Sequence, residues 1–336
     1  MKNKILILSE IYNDDELASQ ETFTGYQGHI VKGMCAQVGI NYSECYKTSV
    51  FKIRPRPTLK IENLCGKRPE GIVGRPPIKP GKYILKKYQS ELDRLEKEIA
   101  DYNPNIIIAF GAVAAWATSG QTKITQIRGV TTMARQGCKV IPMYHPTAIN
   151  RNWSLRAITI ADMAKAFIQS QTKDLKIPKH ELWIEPTLDD LKIFEDAYIK
   201  STKKISIDIE TAQNQITCIG FAPSIERAIV VPFYDRVKPG HNYWPTLNQE
   251  IAAWTWVKRI CEMPDVEICG QNFLYDIQYL WVKYGITVPS FAHDTMLLTH
   301  AQQPEMLKGL GFLASVHTDE PSWKHMRTKH TGKKED

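Results

Sequence analysis

"KKISIDIETAQNQITCIGFA", residues 203–222, sets Ile205, Ile207 and Ile209 in alternation with Ser206, Asp208 and Glu210. Strand side chains alternate faces with a period of two, so the isoleucines enter a core while Asp208 and Glu210 share the opposite face. Two like charges side by side on a strand that otherwise reads as buried are costly unless something positive lies between them, and a divalent cation is the usual solution. The alternative is a strand whose polar face meets water. The rest of the chain has to supply the partners that decide between the two.

At 336 residues the chain suits two domains, each large enough to build its own core. It carries 43 Lys+Arg against 36 Asp+Glu, a net charge of +7, which favours a polyanionic partner, nucleic acid foremost. No apolar run of about 18 residues occurs. "MKNKILILSE" (1–10) reads as a first strand rather than a signal peptide, so a soluble, cytoplasmic protein without a membrane partner is expected. Cysteines 35, 45, 65, 138, 218, 261 and 269 form no C-x-x-C pair and no ladder of spacings, which argues against a zinc ribbon or a disulfide framework. Between Lys47 and Lys87, twelve Lys/Arg stand against two Asp/Glu and are interleaved with prolines. The tract reads either as a solvated, irregular insertion or as a phosphate-contacting loop with Lys52, Arg54 and Arg56 as candidates.

The first half alternates strands ("KILILSE", "ECYKTSVFKI", "NIIIAFG", "KVIPMYH") with helices at 27–38, 84–101, 111–118 and 156–170. Apolar strands separated by helices argue for a parallel sheet covered on both faces. Ligands in such sheets bind at the carboxyl ends of strands, where Ser9-Glu10, Ser49 to Arg54, Gly111 and His145-Pro146 lie.

Those positions carry a family resemblance. "SEIYNDDELASQETFTGYQG" (9–28) resembles the first motif of the uracil-DNA glycosylase superfamily, in particular its iron–sulfur branch with Gly-Glu-Ala-Pro-Gly followed by Pro-Phe-x-Gly-x-x-Gly. "TSVFKIRP" (48–55), "IIIAFGAVAA" (106–115) and "RGVTTMARQGCKVIPMYHPTAINRN" (128–152) resemble the later motifs, in the right order over about residues 4–170. The resemblance implies a parallel-sheet α/β/α sandwich with a base-flipping pocket. In it Glu10 falls on the motif glutamate, Phe23 stacks on the flipped base, and His145 donates to the oxyanion that develops on the departing base. Ser49 replaces the uracil-reading asparagine, Ile53 the motif cysteine, and Ser9, Tyr12 and Asn13 a Gly, Pro and Gly. These departures imply that no iron–sulfur cluster is bound and that the pocket serves DNA binding or structure, with an active uracil-DNA glycosylase as the alternative.

Residues 171–184 read as a charged linker, separating a domain at 1–170 from one at 185–336. In the latter, strands at 203–210, 217–222 and 227–233 precede a helix at 249–263, the strand "VEICG" (266–270) and a helix over "QNFLYDIQYLWVKYG" (271–285). That order suits a ribonuclease-H-like mixed sheet. "SIDIET" (206–211), "GQNFLYDIQYL" (270–280) and "HDTMLLTHAQQPEMLKGLGFLAS" (293–315) resemble the 3′–5′ proofreading exonuclease domain of family A DNA polymerases, most of all those of bacteriophages, over about 181–323.

This second resemblance implies that Asp208, Glu210 and Asp276 hold two Mg²⁺ or Mn²⁺ ions, and that single-stranded DNA 3′ ends are the substrate. It further implies that Asn272 fixes its loop or contacts the terminal nucleotide, that Tyr275 packs beneath Asp276 or joins the nucleic-acid-binding residues, and that Asp294 caps a helix, with an outer-sphere carboxylate as the alternative. The family's last motif, Tyr-x-x-x-Asp, has no counterpart, since no tyrosine follows Tyr284. An exposed docking patch around "LKGLGFLAS" (307–315) is therefore expected, where a polymerase polypeptide completes the exonuclease site. Two functions stay open: a metal-dependent 3′–5′ exonuclease within or beside a phage polymerase, working in the host cytoplasm, and a non-catalytic DNA-binding or polymerase-docking subunit.

Overall fold

The computed structural model describes residues 3–176 and 179–320. They form two units, one from residues 3–176 together with 311–320, the other from residues 179–310.

The first unit runs β1 (Ile5–Ile11), α1 (Asp14–Ser19), α2 (Gly25–Gln37), β2 (Tyr46–Phe51), β3 (Cys65–Gly66), β4 (Tyr83–Ile84), α3 (Gln89–Tyr102), β5 (Ile106–Phe110), α4 (Ala112–Ser119), α5 (Ile124–Ile127), β6 (Thr132–Met133), β7 (Lys139–Met143), α6 (Pro146–Arg151) and α7 (Leu155–Gln169). The main sheet has the order β2-β1-β5-β7-β6, parallel throughout except for β6. Because both faces are covered, Ile5–Leu8 of β1 and the whole of β5 are apolar at every position. Leu6, Leu8, Ile107 and Ala109 pack with residues of α3 and α4 on one side, and Ile5, Ile7, Ile106 and Ile108 with residues of α2, α6 and α7 on the other. Each such fully buried side chain contributes about 1.5–3 kcal/mol.

The basic tract is not the solvated insertion that its charge suggested. Ile61, Leu64, Ile72, Ile78 and Ile84 enter the same core as Leu6 and Leu8, and the short hairpin β3–β4 ties the tract together. Its charges pair outside that core, Lys52 with Glu98, Arg75 with Glu96 and Lys79 with Glu62. Five isoleucines and leucines spread at irregular intervals give no periodic signal, which is why the packing was hidden.

The second unit contains β8 (Glu181–Trp183), α8 (Leu188–Phe194), β9 (Lys204–Ala212), β10 (Gln215–Ala222), β11 (Arg227–Pro232), α9 (Leu247–Cys261), β12 (Glu267–Gly270), α10 (Leu274–Tyr284), β13 (Phe291–Asp294) and α11 (Thr295–Gln302). Its sheet order is β13-β12-β9-β10-β11-β8. Three antiparallel strands (β9, β10, β11) are extended by β12 and β13 parallel to β9, the ribonuclease-H-like arrangement. Ile205, Ile207 and Ile209 join Ile219, Phe221, Trp256 and Val257 in one core. Strand β9 is therefore central in the sheet yet buried on one face, while Ser206, Asp208 and Glu210 are exposed on the other. Two-residue turn geometry closes β9 onto β10, with positive φ at Gln213 and Asn214, as the right-handed twist of a hairpin demands.

Two boundaries differ from the sequence reading. Strand β8 lies inside the stretch read as a linker and pairs with β11; three residues are too short to show alternation. Helix α12 (Leu310–His317), expected in the second domain, packs from Gly311 onward on the first unit. There the wholly buried pair Arg128–Asp162 (Nε to Oδ2 2.8 Å) donates from Arg128 Nη1 to Ser315 Oγ at 3.0 Å. Lys165 donates to the Ser315 carbonyl at 2.6 Å. The expected docking patch is thereby split: Leu307 and Leu310 are exposed, but Leu313 is buried and Phe312 packs on the first unit's core. No helix among the described residues is long and apolar enough to cross a membrane.

Candidate functional site

In the first unit the carboxyl edge of the sheet gathers Ser9, Glu10, Gly111 and His145. Glu10 Oε1 accepts the Val113 N–H at 2.8 Å, a carboxylate at the positive end of α4. Gly111 makes the turn from β5 into α4 at φ +93°, and a side chain there would collide with the Glu10 carboxylate. His145 caps α6: Nδ1 accepts the Thr147 N–H at 3.3 Å and lies 2.9 Å from its hydroxyl, leaving Nε2 to carry the proton toward Ser9 Oγ at 3.3 Å. Burial pushes the His145 pKa below its ordinary value, Glu10 opposing and Arg151 adding. The ring is thus expected to be neutral, with its proton on Nε2, at about pH 6.5 where an ordinary histidine is half charged. Nitrogen-15 spectra of the imidazole check this, and a doubly protonated ring at that pH contradicts it.

The two residues assigned to reading the base lie at the same edge but in packed surroundings: Ser49 pairs in register with Ser9, and Phe23 packs against Phe110, the residue before Gly111. Phe23 is 4% exposed, at φ +62°, with its ring edge-on to Phe110 at 5.7 Å. It is a core aromatic here, not a surface for stacking. Ser49 is fully buried and hydrogen-bonded to Thr22 Oγ1 at 3.1 Å. Glu16, which sequence reasoning missed, holds this arrangement: its buried carboxyl accepts from the Phe23 N–H at 2.7 Å and the Asn13 N–H at 3.0 Å, and burial raises its pKa. Tyr12, at the position of the family's proline, is buried beside them with its hydroxyl donating to the Gln20 carbonyl. Of the basic candidates, Lys52 is engaged by Glu98 and Arg54 by Asp14, whereas Arg56 is exposed.

In the second unit Asp208 and Glu210 share one face of β9, and Asp276 is bonded to the backbone of the residue between them. Asp208 and Glu210 project from the exposed face of β9. Asp276, in the first turn of α10, is 4% exposed and accepts the Ile209 N–H on Oδ1 at 2.9 Å. That bond satisfies a β9 donor where β12 no longer reaches the strand. Burial pushes the Asp276 pKa up to about 6, the Ile209 N–H opposing and Asp208 adding. Asn272 turns the loop before α10 at φ +54°, a conformation asparagine tolerates. The loop is clamped by Asp294, which accepts from Asn272 N (3.1 Å) and Phe273 N (2.8 Å) as well as from Met296 N (2.8 Å) and Leu297 N (3.3 Å) at the start of α11. Its capping role was legible before "TMLLTH"; the clamp across the sheet was not. Tyr275 does not pack beneath Asp276: it is 47% exposed and its hydroxyl meets Thr211 Oγ1 at 2.8 Å.

Carboxylate oxygens are the donors that Mg²⁺ and Mn²⁺ prefer, so the donor chemistry fits such an ion. Among the described residues, however, no group of three His, Cys, Asp or Glu is placed to hold a metal.

The family model described as the uracil DNA glycosylase superfamily matches residues 2–176. A DNA polymerase of Bacillus phage SP01 is 24% identical over 329 residues, covering 88% of this chain and 32% of that protein. The chain therefore spans about a third of the length of this polymerase. A type-4 uracil-DNA glycosylase of Thermotoga maritima is 26% identical over 181 residues, 51% of this chain and 81% of that protein. Among solved structures, the EXD2 exonuclease domain soaked in Mn and GMP matches 40% of this chain and 68% of its own, at 15% identity and a TM-score of 0.28.

Proposed function

Because the chain belongs to the uracil-DNA glycosylase superfamily through residues 2–176, we propose that it processes DNA, its first unit contacting the nucleic acid and its second unit hydrolysing single strands from their 3′ ends. The observation that carries this reading is the pair Asp208 and Glu210, exposed on the uncovered face of a central strand with the buried carboxyl of Asp276 beside them. Asp208, Glu210 and Asp276 would hold a divalent cation, which supplies a Lewis acid for phosphodiester hydrolysis when bound. The chain's own share is positional. The Ile209 N–H fixes Asp276 against β9, and the Asp294 clamp sets the Asn272 loop at the entrance to α10, where its exposed side chain is available to a terminal nucleotide. A 3′-labelled single strand incubated with Mn²⁺ should shorten stepwise and stop on chelation. An intact label would overturn the nuclease reading.

A second reading, a non-catalytic docking subunit, draws on the lack of a preformed three-ligand group among the described residues. The two meet in a proposal that a polymerase polypeptide supplies further acidic ligands. Adding such a polypeptide should raise the degradation rate.

The glycosylase-like unit is degenerate in this reading. Phe23 and Ser49 sit in packed surroundings, so uracil release from a uracil-containing oligonucleotide is expected to stay at background, as followed by alkaline cleavage of the abasic product. Multiple-turnover release would contradict it.

A further inference from the structure

A cleft of about 820 Å³ opens in the second unit where β9 turns into β10. One wall is a three-ring stack: Phe233 on Trp254 (centroids 3.8 Å apart, planes at 13°) and Trp254 on Tyr284 (4.1 Å, 20°). The Tyr284 hydroxyl accepts the Ile216 N–H at 3.1 Å, which pins the outer ring to the turn. At the rim Tyr234 is 43% exposed, with its ring 5.5 Å from that of His241.

The same cleft is lined by Arg236 and Lys283, and among the described residues neither has an ion-pair partner, unlike Lys52 and Arg54 in the first unit. Its lining carboxylate, Glu250, is already engaged by Asn242 Nδ2 at 2.8 Å. Within the stack Trp254 is covered on both faces and Phe233 belongs to the core, so the rings that can meet a base are the exposed Tyr234 at the rim and the half-buried Tyr284, with the two cations beside them for phosphates.

The cleft also borders the backbone of β9 at Glu210. Thr217 lines it and donates from its hydroxyl to the Glu210 carbonyl at 2.9 Å. Helix α10 carries Asp276 at one end and Tyr284 at the other, about 12 Å apart at ~1.5 Å per residue.

We infer that this cleft binds a segment of single-stranded DNA lying upstream of the 3′ end presented to Asp208 and Glu210. Its role rests on the nuclease reading; its binding chemistry does not. A free mononucleotide offers the same base and phosphate, so the test separates the two sources.

Binding of a fluorescent twelve-residue oligothymidylate to the full chain is followed by anisotropy in EDTA, where nothing is degraded, over a range of salt concentrations. Charge reversal at both cations (R236E with K283E) is expected to weaken binding about tenfold or more and to flatten the slope of log K against log salt by about 1.4, at roughly 0.7 per phosphate contact on a single strand. The conservative pair R236K with K283R should retain most of the affinity. Thymidine monophosphate at millimolar concentration should not compete. Photocrosslinks from 4-thiothymidine in the same oligonucleotide should map to Tyr234 or Tyr284.

Unchanged affinity and slope in a folded charge-reversal variant, with crosslinks elsewhere, would overturn the inference; competition by the mononucleotide would replace the strand with a free nucleotide and overturn it too. Because no step requires catalysis, an inactive nuclease centre would leave this result readable by itself.

Discussion

Replacing Asp208 by alanine is expected to lower Mn²⁺-dependent shortening of a 3′-labelled single strand by ~10³-fold, since losing even an outer partner of a metal ligand costs about 10–100-fold. Asp208 and Glu210 are the two acids on the exposed face of β9, and Asp208 is the charge that the buried Asp276 carboxyl senses most directly after its own burial and the Ile209 N–H. Without Asp208 two of the three acids remain, too little negative charge to hold divalent ions close to a phosphodiester. An exposed strand position tolerates alanine with a stability change within about 0.5 kcal/mol, so the thermal midpoint should not move. Loss of activity without loss of fold is the signature. Equal degradation by the parent and the variant would assign the activity to other residues.

Replacing Asp162 by alanine is expected to destabilise the first unit by about 3–5 kcal/mol, the range for removing one partner of a buried ion pair. Arg128 and Asp162 side chains are 1% and 0% exposed, and Arg128 also holds Ser315 and lies over the Phe312 ring at 5.3 Å. The variant would strand a guanidinium among apolar groups and loosen the seat of α12. Replacing both members together, Arg128→Met with Asp162→Leu, should recover most of the loss, because a well-packed apolar pair removes both desolvation costs. Urea unfolding of the three proteins measures this. A single variant within 1 kcal/mol of the parent would show that water reaches the pair.

Much of the architecture was legible because it rests on short-range pattern. "ILIL" and "IIIA" are apolar at every position and could only be strands covered on both faces, and the alternation of Ile205, Ile207 and Ile209 with Asp208 and Glu210 announced a strand buried on one face. What stayed hidden depends on contacts between distant residues. The burial of Phe23 turns on Glu16, whose carboxyl points inward to its N–H, although an acid in a first helical turn normally reads as solvated. Arg128 and Asp162 are 34 residues apart, and Ser315 lies 187 residues from Arg128. No local signal connects them, so the return of α12 to the first unit could not be read. The placement of Tyr275 shows the same limit: a tyrosine one residue before Asp276 leaves open which way its ring turns, and the structure sends its hydroxyl to Thr211.

The central claim is that the acidic face of β9 is a metal-dependent nuclease centre, and anomalous diffraction from crystals soaked in Mn²⁺ tests it most directly. The account predicts a peak at the Asp208 and Glu210 carboxylates, about 2.0–2.3 Å from their oxygens, that disappears in the Asp208→Ala protein. A map with no peak at that face at millimolar Mn²⁺, or a peak that survives the substitution, would contradict it.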